Sequence, residues 1–365
     1  MPAPERILVI RHRAAGDLLL TTPALHALRG GRPNAHIDVL AARGMEELLA
    51  GNRDVDRVLT VDRRSARSQA LLYARLACGG YDTAIDLVSN PRSAIMTALT
   101  RARVRAGYDI PGRSWAYTLR VPREPLDSSG TPRLRYAPEA ALDVVRALGI
   151  PMAGDGAPER DALHFRTTEA ARGAVDRWLD SVAAERGGKP LAACLPTGSW
   201  PAKTWLPERF AEVMESLAAD AMPVWIWGPG ERSEVEAIRA RMTSPSLIAP
   251  PTGWQELGAL LERCALLVCN DSGPKHVAVA LGTPTVTLFG PTHPKTWHPP
   301  RGPHVAIEAE GLDCLHCNAN ECPLPGDRRM RCMRDVSAER VAEAARALLR
   351  DRAAPGGKEP ACANR

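Results

Sequence analysis

Cys269-Asn270-Asp271-Ser272-Gly273-Pro274-Lys275-His276 decides the fold. The run before it, Leu266–Cys269, is apolar and unbroken, as a strand buried on both faces must be. Ser272 and Gly273 make a short turn, and Pro274 suits the first turn of a helix that continues to Leu281. The chain then returns as a second apolar run, Thr285–Phe289, closed by Gly290. Strand, tight turn, helix and strand in that order predict a parallel pair with a crossover helix. The helix start has chemical consequences. Its free backbone N–H groups and a dipole of about half a charge suit a diphosphate. Asp271 can accept hydrogen bonds from sugar hydroxyls. His276, in the first turns, reads by itself as a satisfied structural residue.

The same alternation extends outward. Upstream, Leu191–Leu195 and Val224–Trp227 read as strands, with helices over Thr168–Val182, Pro207–Ala219, Ser233–Met242 and Trp254–Cys264. Downstream, Ala338–Leu349 reads as a final helix capped by Ser337. In the first half, strands are predicted at Ile7–Ile10, His36–Ala41, Val58–Val61, Thr83–Leu87 and Val104–Gly107. Helices are predicted at Leu18–Leu28, Met45–Leu49 and Ala137–Leu148, and Pro122–Pro132 reads as a loop. The fold class is therefore α/β, with two Rossmann-like doubly wound domains. A Pro/Gly/Asp stretch, Pro151–Pro158, is the expected linker. It puts the domains at residues 1–155 and 156–352, with a cysteine-rich insertion at 311–333 and a Pro/Gly-rich, disordered tail at 353–365. If the carboxyl ends of the two sheets face each other, the active site is a cleft between them.

Bulk properties narrow the function. A chain of 365 residues, 45% hydrophobic and 24% charged, is long enough for two cores. A net charge of +5 suits acidic substrates or an anionic membrane surface, and is too weak to argue for nucleic acid. Basic clusters at Arg101–Arg105 and Arg328–Arg334 read as solvated faces or as sites for an anionic partner. No segment approaches the roughly 18 apolar residues of a membrane helix, and Arg11, His12 and Arg13 interrupt the only apolar run near the start. A cytoplasmic setting follows, in which the nine cysteines stay mostly reduced.

Three further motifs carry chemistry. Arg11-His12-Arg13-Ala14-Ala15-Gly16-Asp17 joins a strand to a helix. Asp17 there either caps the helix or faces a ligand as a general base. Pro196-Thr197-Gly198-Ser199-Trp200-Pro201-Ala202-Lys203 is a loop after a strand, whose hydroxyls at Thr197 and Ser199 and charge at Lys203 can meet a phosphate; an ordinary loop with a solvated lysine is the alternative. Trp227-Gly228-Pro229-Gly230-Glu231 is half of a dinucleotide fingerprint, with Ser233 where the third glycine would stand, so hydride transfer is poorly supported. Glu231 can hold a ribose hydroxyl or simply supply acidity at a helix start.

Taken together with Phe289-Gly290-Pro291-Thr292, these motifs resemble the ADP-heptose:lipopolysaccharide heptosyltransferase family, glycosyltransferase family 9, over roughly residues 5–350. The resemblance implies a GT-B arrangement, with an acceptor-binding N-terminal domain and a nucleotide-sugar-binding C-terminal domain. It also implies inverting transfer of a heptose or related sugar from an ADP-sugar to a lipopolysaccharide core or similar anionic glycolipid, with no cofactor needed for catalysis. By position, Asp17 is the base. Lys203 and the backbone at Ser272 and Gly273 stabilise the departing diphosphate, and His276 supports that site. Glu231 contacts the ribose and Asp271 the donor sugar, with Thr197 and Ser199 in the same donor set. Peripheral contact with the inner face of the membrane and no nucleic-acid partner go with this reading.

Two features depart from the commonest members. Lys275 replaces a usually neutral residue, and Cys314-x2-Cys317-x4-Cys322-x9-Cys332 is carried by only some relatives. The spacing of Cys314 and Cys317 lets two thiolates reach one ion, and Cys322 and Cys332 complete a candidate structural zinc site, with reduced packed cysteines as the alternative. Two other functions stay open at this stage. One is a nucleotide-sugar epimerase on the same fold, and the other a non-catalytic metal- or nucleic-acid-binding protein that makes no use of Asp17.

Overall fold

The computed structural model describes residues 4–62, 65–126, 129–151 and 160–353. The chain divides into two compact units, Met1–Arg166 and Thr167–Arg365. The expected linker Pro151–Pro158 lies, apart from Pro151, outside the described residues, as does the tail beyond Ala353.

The first unit holds a sheet of β1 (Arg6–Ile10), β2 (His36–Ala42), β3 (Arg57–Val61), β4 (Thr83–Asp86), β5 (Val104–Tyr108) and β6 (Leu119–Val121), in the order β3-β2-β1-β4-β5-β6. The second holds β7 (Leu191–Leu195), β8 (Met222–Trp225), β9 (Leu247–Ile248), β10 (Cys264–Asn270), β11 (Thr285–Leu288) and β12 (His304–Ile307), in the order β12-β11-β10-β7-β8-β9. Every neighbouring pair is parallel. Counted within its own unit, each sheet has the Rossmann order 3-2-1-4-5-6. The direction of winding therefore reverses between β1 and β4 in one unit and between β7 and β10 in the other. The loops leaving those strands flank the crevice where such sheets take ligands.

Parallel pairing explains the sequence pattern. All seven residues of β10 are buried, as are all five of β7. Trp205, Phe210, Trp225, Met333 and Val341 share the core of the second unit. The last helix, Ala338–Ala353, lays Val341, Ala345 and Leu348 on that core at helical spacing, and Ser337 Oγ accepts from Arg340 N at its start. Three of the four outer strands, β6, β9 and β12, are only two to four residues long and lie outside the apolar runs read from the sequence.

One predicted helix is two. Leu18–Leu28 breaks into Ala15–Leu19 and Thr22–Gly31. Pro23 has no N–H to donate to the Leu19 carbonyl, so a continuous helix would leave that oxygen bare. The Thr22 hydroxyl donates to it instead, at 2.6 Å, and accepts from His164 N at 2.9 Å. The break ends the first short helix just beyond Asp17. No helix among the described residues is long and apolar enough to cross a membrane.

Candidate active site

In the second unit, β10 ends in Asn270, which is fully buried. Its Nδ2 donates to Pro196 O at 2.7 Å and its Oδ1 accepts from Trp205 N at 3.0 Å. One side chain thus pins both ends of the loop after β7 to the end of β10 and fixes where Lys203 sits. The sequence offered a signal for it: a polar amide closing a strand with no other polar residue.

Asp271 follows, 5% exposed. Its Oδ2 accepts from Lys203 Nζ at 2.9 Å and from Thr292 Oγ1 at 2.8 Å, while Oδ1 accepts from Lys275 Nζ at 2.5 Å. Burial alone would raise its pKa, but the Lys275 and Lys203 charges outweigh burial and hold the carboxyl well below the usual range. Lys203 Nζ also lies 4.5 Å from the Trp200 ring centroid. Thr292, which the motif analysis quoted without assigning it a role, therefore belongs to this cluster.

The helix Gly273–Leu281 starts without a side-chain cap, because Ser272 makes no capping bond. Among the described residues, Ser272 Oγ and His276 Nδ1 are buried polar atoms with no hydrogen-bond partner. Burial, reinforced by Lys275 and Lys203, holds the His276 pKa well below its ordinary value, so the imidazole is neutral. A helix start with free N–H groups, an orphaned hydroxyl, a neutral imidazole and a nearby ammonium makes a cradle for an anion.

Glu231 and Thr197 meet at the end of the same sheet. Thr197 Oγ1 donates to Glu231 Oε2 at 2.6 Å and Gly228 N donates to the same oxygen at 2.9 Å. A Cβ on Gly228 would lie 2.8 Å from that oxygen, so a larger residue there would have to displace the Glu231 carboxylate. Ser199 is exposed on the loop.

In the first unit, Asp17 lies inside the short helix Ala15–Leu19, whose N-cap is Ala14 with no side-chain capping bond. It therefore does not cap. Its Oδ2 lies 3.0 Å from Arg11 Nη2, and Arg11 also donates through Nη1 to the Leu87 carbonyl just after β4. The carboxylate is thereby held at the β1–β4 switch point with its side chain 27% exposed. Ala14 sits at φ 53°, a conformation that a non-glycine residue adopts only under local constraint.

The spacing of Cys314, Cys317, Cys322 and Cys332 suggested a structural zinc site; among the described residues no group of three or more His, Cys, Asp or Glu side chains is placed to hold a metal ion, so the geometry lends the zinc no support. Cys332 is drawn into the core beside Met333, while Cys317 is exposed. Cys322 Sγ accepts from Met330 N at 3.3 Å. Burial, together with the neighbouring Cys314, Cys322 and Cys317, pushes the Cys332 thiol up to about 11. The segment braces the site. Asn320 O accepts from Ala202 N at 3.1 Å, beside Lys203. His316 N and Asn318 N donate to Gly290 O and Pro291 O at 3.0 and 2.7 Å, beside Thr292. A Cβ on Gly290 would lie 2.6 Å from Met333 Sδ and 3.0 Å from Cys332 Sγ. Gly290→Ala is accordingly expected to lower stability by about 1–3 kcal/mol through overpacking. Thermal unfolding reads this directly, and an unchanged midpoint would show that fully buried Met333 repacks without strain.

Two Rossmann units of one strand order, with a candidate anion cradle and an acidic turn in the second, make a GT-B-type fold. The model of the family "Glycosyltransferase family 9 (heptosyltransferase)" matches residues 71–326, and the chain belongs to that family. It is similar to lipopolysaccharide heptosyltransferase 3 of Escherichia coli, at 26% identity over 298 residues, covering 79% of this chain and 84% of that protein. Its fold matches that of a glycosyl transferase family 9 protein from Veillonella parvula DSM 2008, with TM-score 0.79, 24% identity, and 95% and 97% of the two chains covered. It also matches the ADP-heptose lipopolysaccharide heptosyltransferase II of E. coli, with TM-score 0.76, 22% identity, and 96% and 100% covered.

Proposed function

We propose that this glycosyltransferase moves a heptose, with inversion and without a catalytic metal, from an ADP-heptose-like donor to an anionic lipopolysaccharide core acceptor. The observation that carries the donor half is the uncapped helix start, where Ser272 Oγ and His276 Nδ1 stand unpartnered among the described residues beside Lys203. Family membership and the reactions named for its relatives support the choice of sugar and acceptor.

In this reading an acceptor hydroxyl attacks the anomeric carbon and Asp17 takes its proton. The bond from that carbon to the diphosphate oxygen breaks, and its electron pair leaves on the diphosphate. One displacement inverts the centre. Lys203, His276 and the N–H groups at Ser272 and Gly273 receive the developing charge. Glu231, steadied by Thr197, holds the ribose, and Asp271 turns its remaining lone pair to the donor sugar, with Ser199 at the loop's outer edge. The first unit takes the acceptor and the second the nucleotide sugar. A net charge of +5 fits an enzyme that works peripherally at the inner face of a membrane on an acidic glycolipid.

The test is a panel of ADP-, UDP-, GDP- and dTDP-sugars with heptose-deficient lipopolysaccharide. Acceptor-dependent release of ADP from ADP-heptose alone is expected; equal turnover of a UDP-sugar would sink the donor assignment. Glu231→Ala strips both Thr197 Oγ1 and Gly228 N of their acceptor and removes the ribose contact. ADP affinity measured by calorimetry is expected to fall by about 1–3 kcal/mol, and an unchanged affinity would place the ribose elsewhere.

A further inference from the structure

Lys275 has no part in the reaction as described, yet it is the only lysine among the largest fully buried side chains of the described residues. Its ammonium has three N–H groups. One goes to Asp271 Oδ1 at 2.5 Å and one to the Trp297 carbonyl at 2.8 Å, and the charge lies 4.8 Å from the centroid of Phe289. With two of its N–H groups taken and no exposure, the ammonium is closed off from solvent. Lys203 is the opposite case. Its side chain is 18% exposed, and it pairs with the other oxygen of the same carboxylate.

Charge counting gives the consequence. Asp271 is a buried negative charge immediately before the anion cradle. By itself it would repel a diphosphate and keep Lys203 for its own neutralisation. Two ammonium groups on one carboxylate leave one positive charge in excess. Of the two ammonium groups, Lys275 is fully buried and Lys203 is the one open to solvent.

We propose that Lys275 is a positioning residue that permanently neutralises Asp271, freeing Lys203 to exchange from that carboxylate to the diphosphate of the incoming donor. The proposal deepens the donor-site reading above and rests on it. Lys275 acts here only through Asp271 and Lys203, and it never touches the nucleotide.

The test is calorimetric titration of ADP, which lacks the sugar and so isolates the phosphate site, into wild type, Lys275→Met and the double variant Asp271→Asn/Lys275→Met, each checked for folding by circular dichroism. Lys275→Met removes the excess charge and is expected to weaken ADP binding about 10- to 100-fold, the range for loss of a charged hydrogen bond. The double variant removes one charge of each sign and restores the excess, so its affinity is expected within about threefold of wild type. A residue that merely packs the core would give no such rescue. Lys275→Met binding as well as wild type overturns the proposal, and so does a double variant more than tenfold weaker than wild type. Should Lys275→Met fail to fold, the double variant decides alone by the same limits. Failure of the wild type itself to bind ADP overturns the donor-site reading, and this proposal with it.

Discussion

Asp17→Asn is expected to lower kcat by about 10²- to 10⁴-fold, the usual loss when a positioned general base is removed. The substitution keeps the shape of the side chain and an oxygen for the Arg11 guanidinium, which lies 3.0 Å away. It removes only the ability to take the acceptor's proton. Asp17 belongs to the first unit, whereas Lys203, Glu231, Ser272 and His276 all belong to the second. ADP affinity should therefore be unchanged, and the loss should fall on kcat. Two measurements decide it: the initial rate of acceptor-dependent ADP release, and calorimetry with ADP. A variant that turns over at the wild-type rate would show that Asp17 is not the base. A variant that loses ADP affinity together with rate would show that its role is not confined to the acceptor side.

The framework was legible because parallel strands buried on both faces must be apolar throughout. Runs such as Ile7–Ile10 and Leu191–Leu195 cannot be mistaken for half-solvated strands. Where the pattern was thinner, the reading was too. The helices Ala66–Ala77 and Pro91–Leu99 open on capping residues, Ser65 and Asn90, that no hydrophobic run announces. Within β2, Asp38 is fully buried among apolar neighbours, because Arg57 and the Tyr81 hydroxyl, distant in sequence, reach its oxygens at 2.6 Å. Within the strand His36 Nε2 lies 3.0 Å from Asp38 Oδ1, but nothing in His36–Ala42 announces Arg57 or Tyr81.

The same distinction governs the site. Motifs at strand ends announce themselves, because a glycine turn leading into a helix start is local chemistry. What joins the motifs to one another is not local. Asn270 pins a loop that begins at Pro196, Thr292 completes a cluster begun by Asp271, and the cysteine segment braces Lys203 through Asn320. Cys314-x2-Cys317 has the spacing of half a metal site, but spacing alone does not say where each thiol will sit, and here Cys332 packs into the core. Lys275 stood out as a departure from its relatives, but its meaning depends on a carboxylate shared with Lys203, 68 residues earlier in sequence than Asp271.

That shared carboxylate gives the largest stability effect expected in the molecule. Asp271→Ala removes the counter-ion of a fully buried ammonium together with the acceptor for Lys203 and Thr292. Breaking a buried pair from one side typically costs about 3–5 kcal/mol, or on the order of 10 °C in melting temperature for a unit of this size. The effect also carries a sign in pH. Burial already lowers the pKa of Lys275, and Asp271 opposes that shift. Without Asp271 the folded-state value drops further, while the unfolded value stays near about 10.4. Below the folded pKa the unfolded chain binds the proton more tightly, and the full penalty applies. As pH rises from the lowered folded value towards the unfolded one, the variant should recover stability relative to wild type. Melting temperatures of wild type and Asp271→Ala are to be compared at pH 7 and pH 10, with Asp271→Asn/Lys275→Met as the reference that lacks both charges. The gap for Asp271→Ala should narrow at the higher pH, and the double variant, which lacks the titrating ammonium, should show no such recovery. A gap that stays constant would mean that the loss comes from missing contacts and not from an uncompensated charge on Lys275.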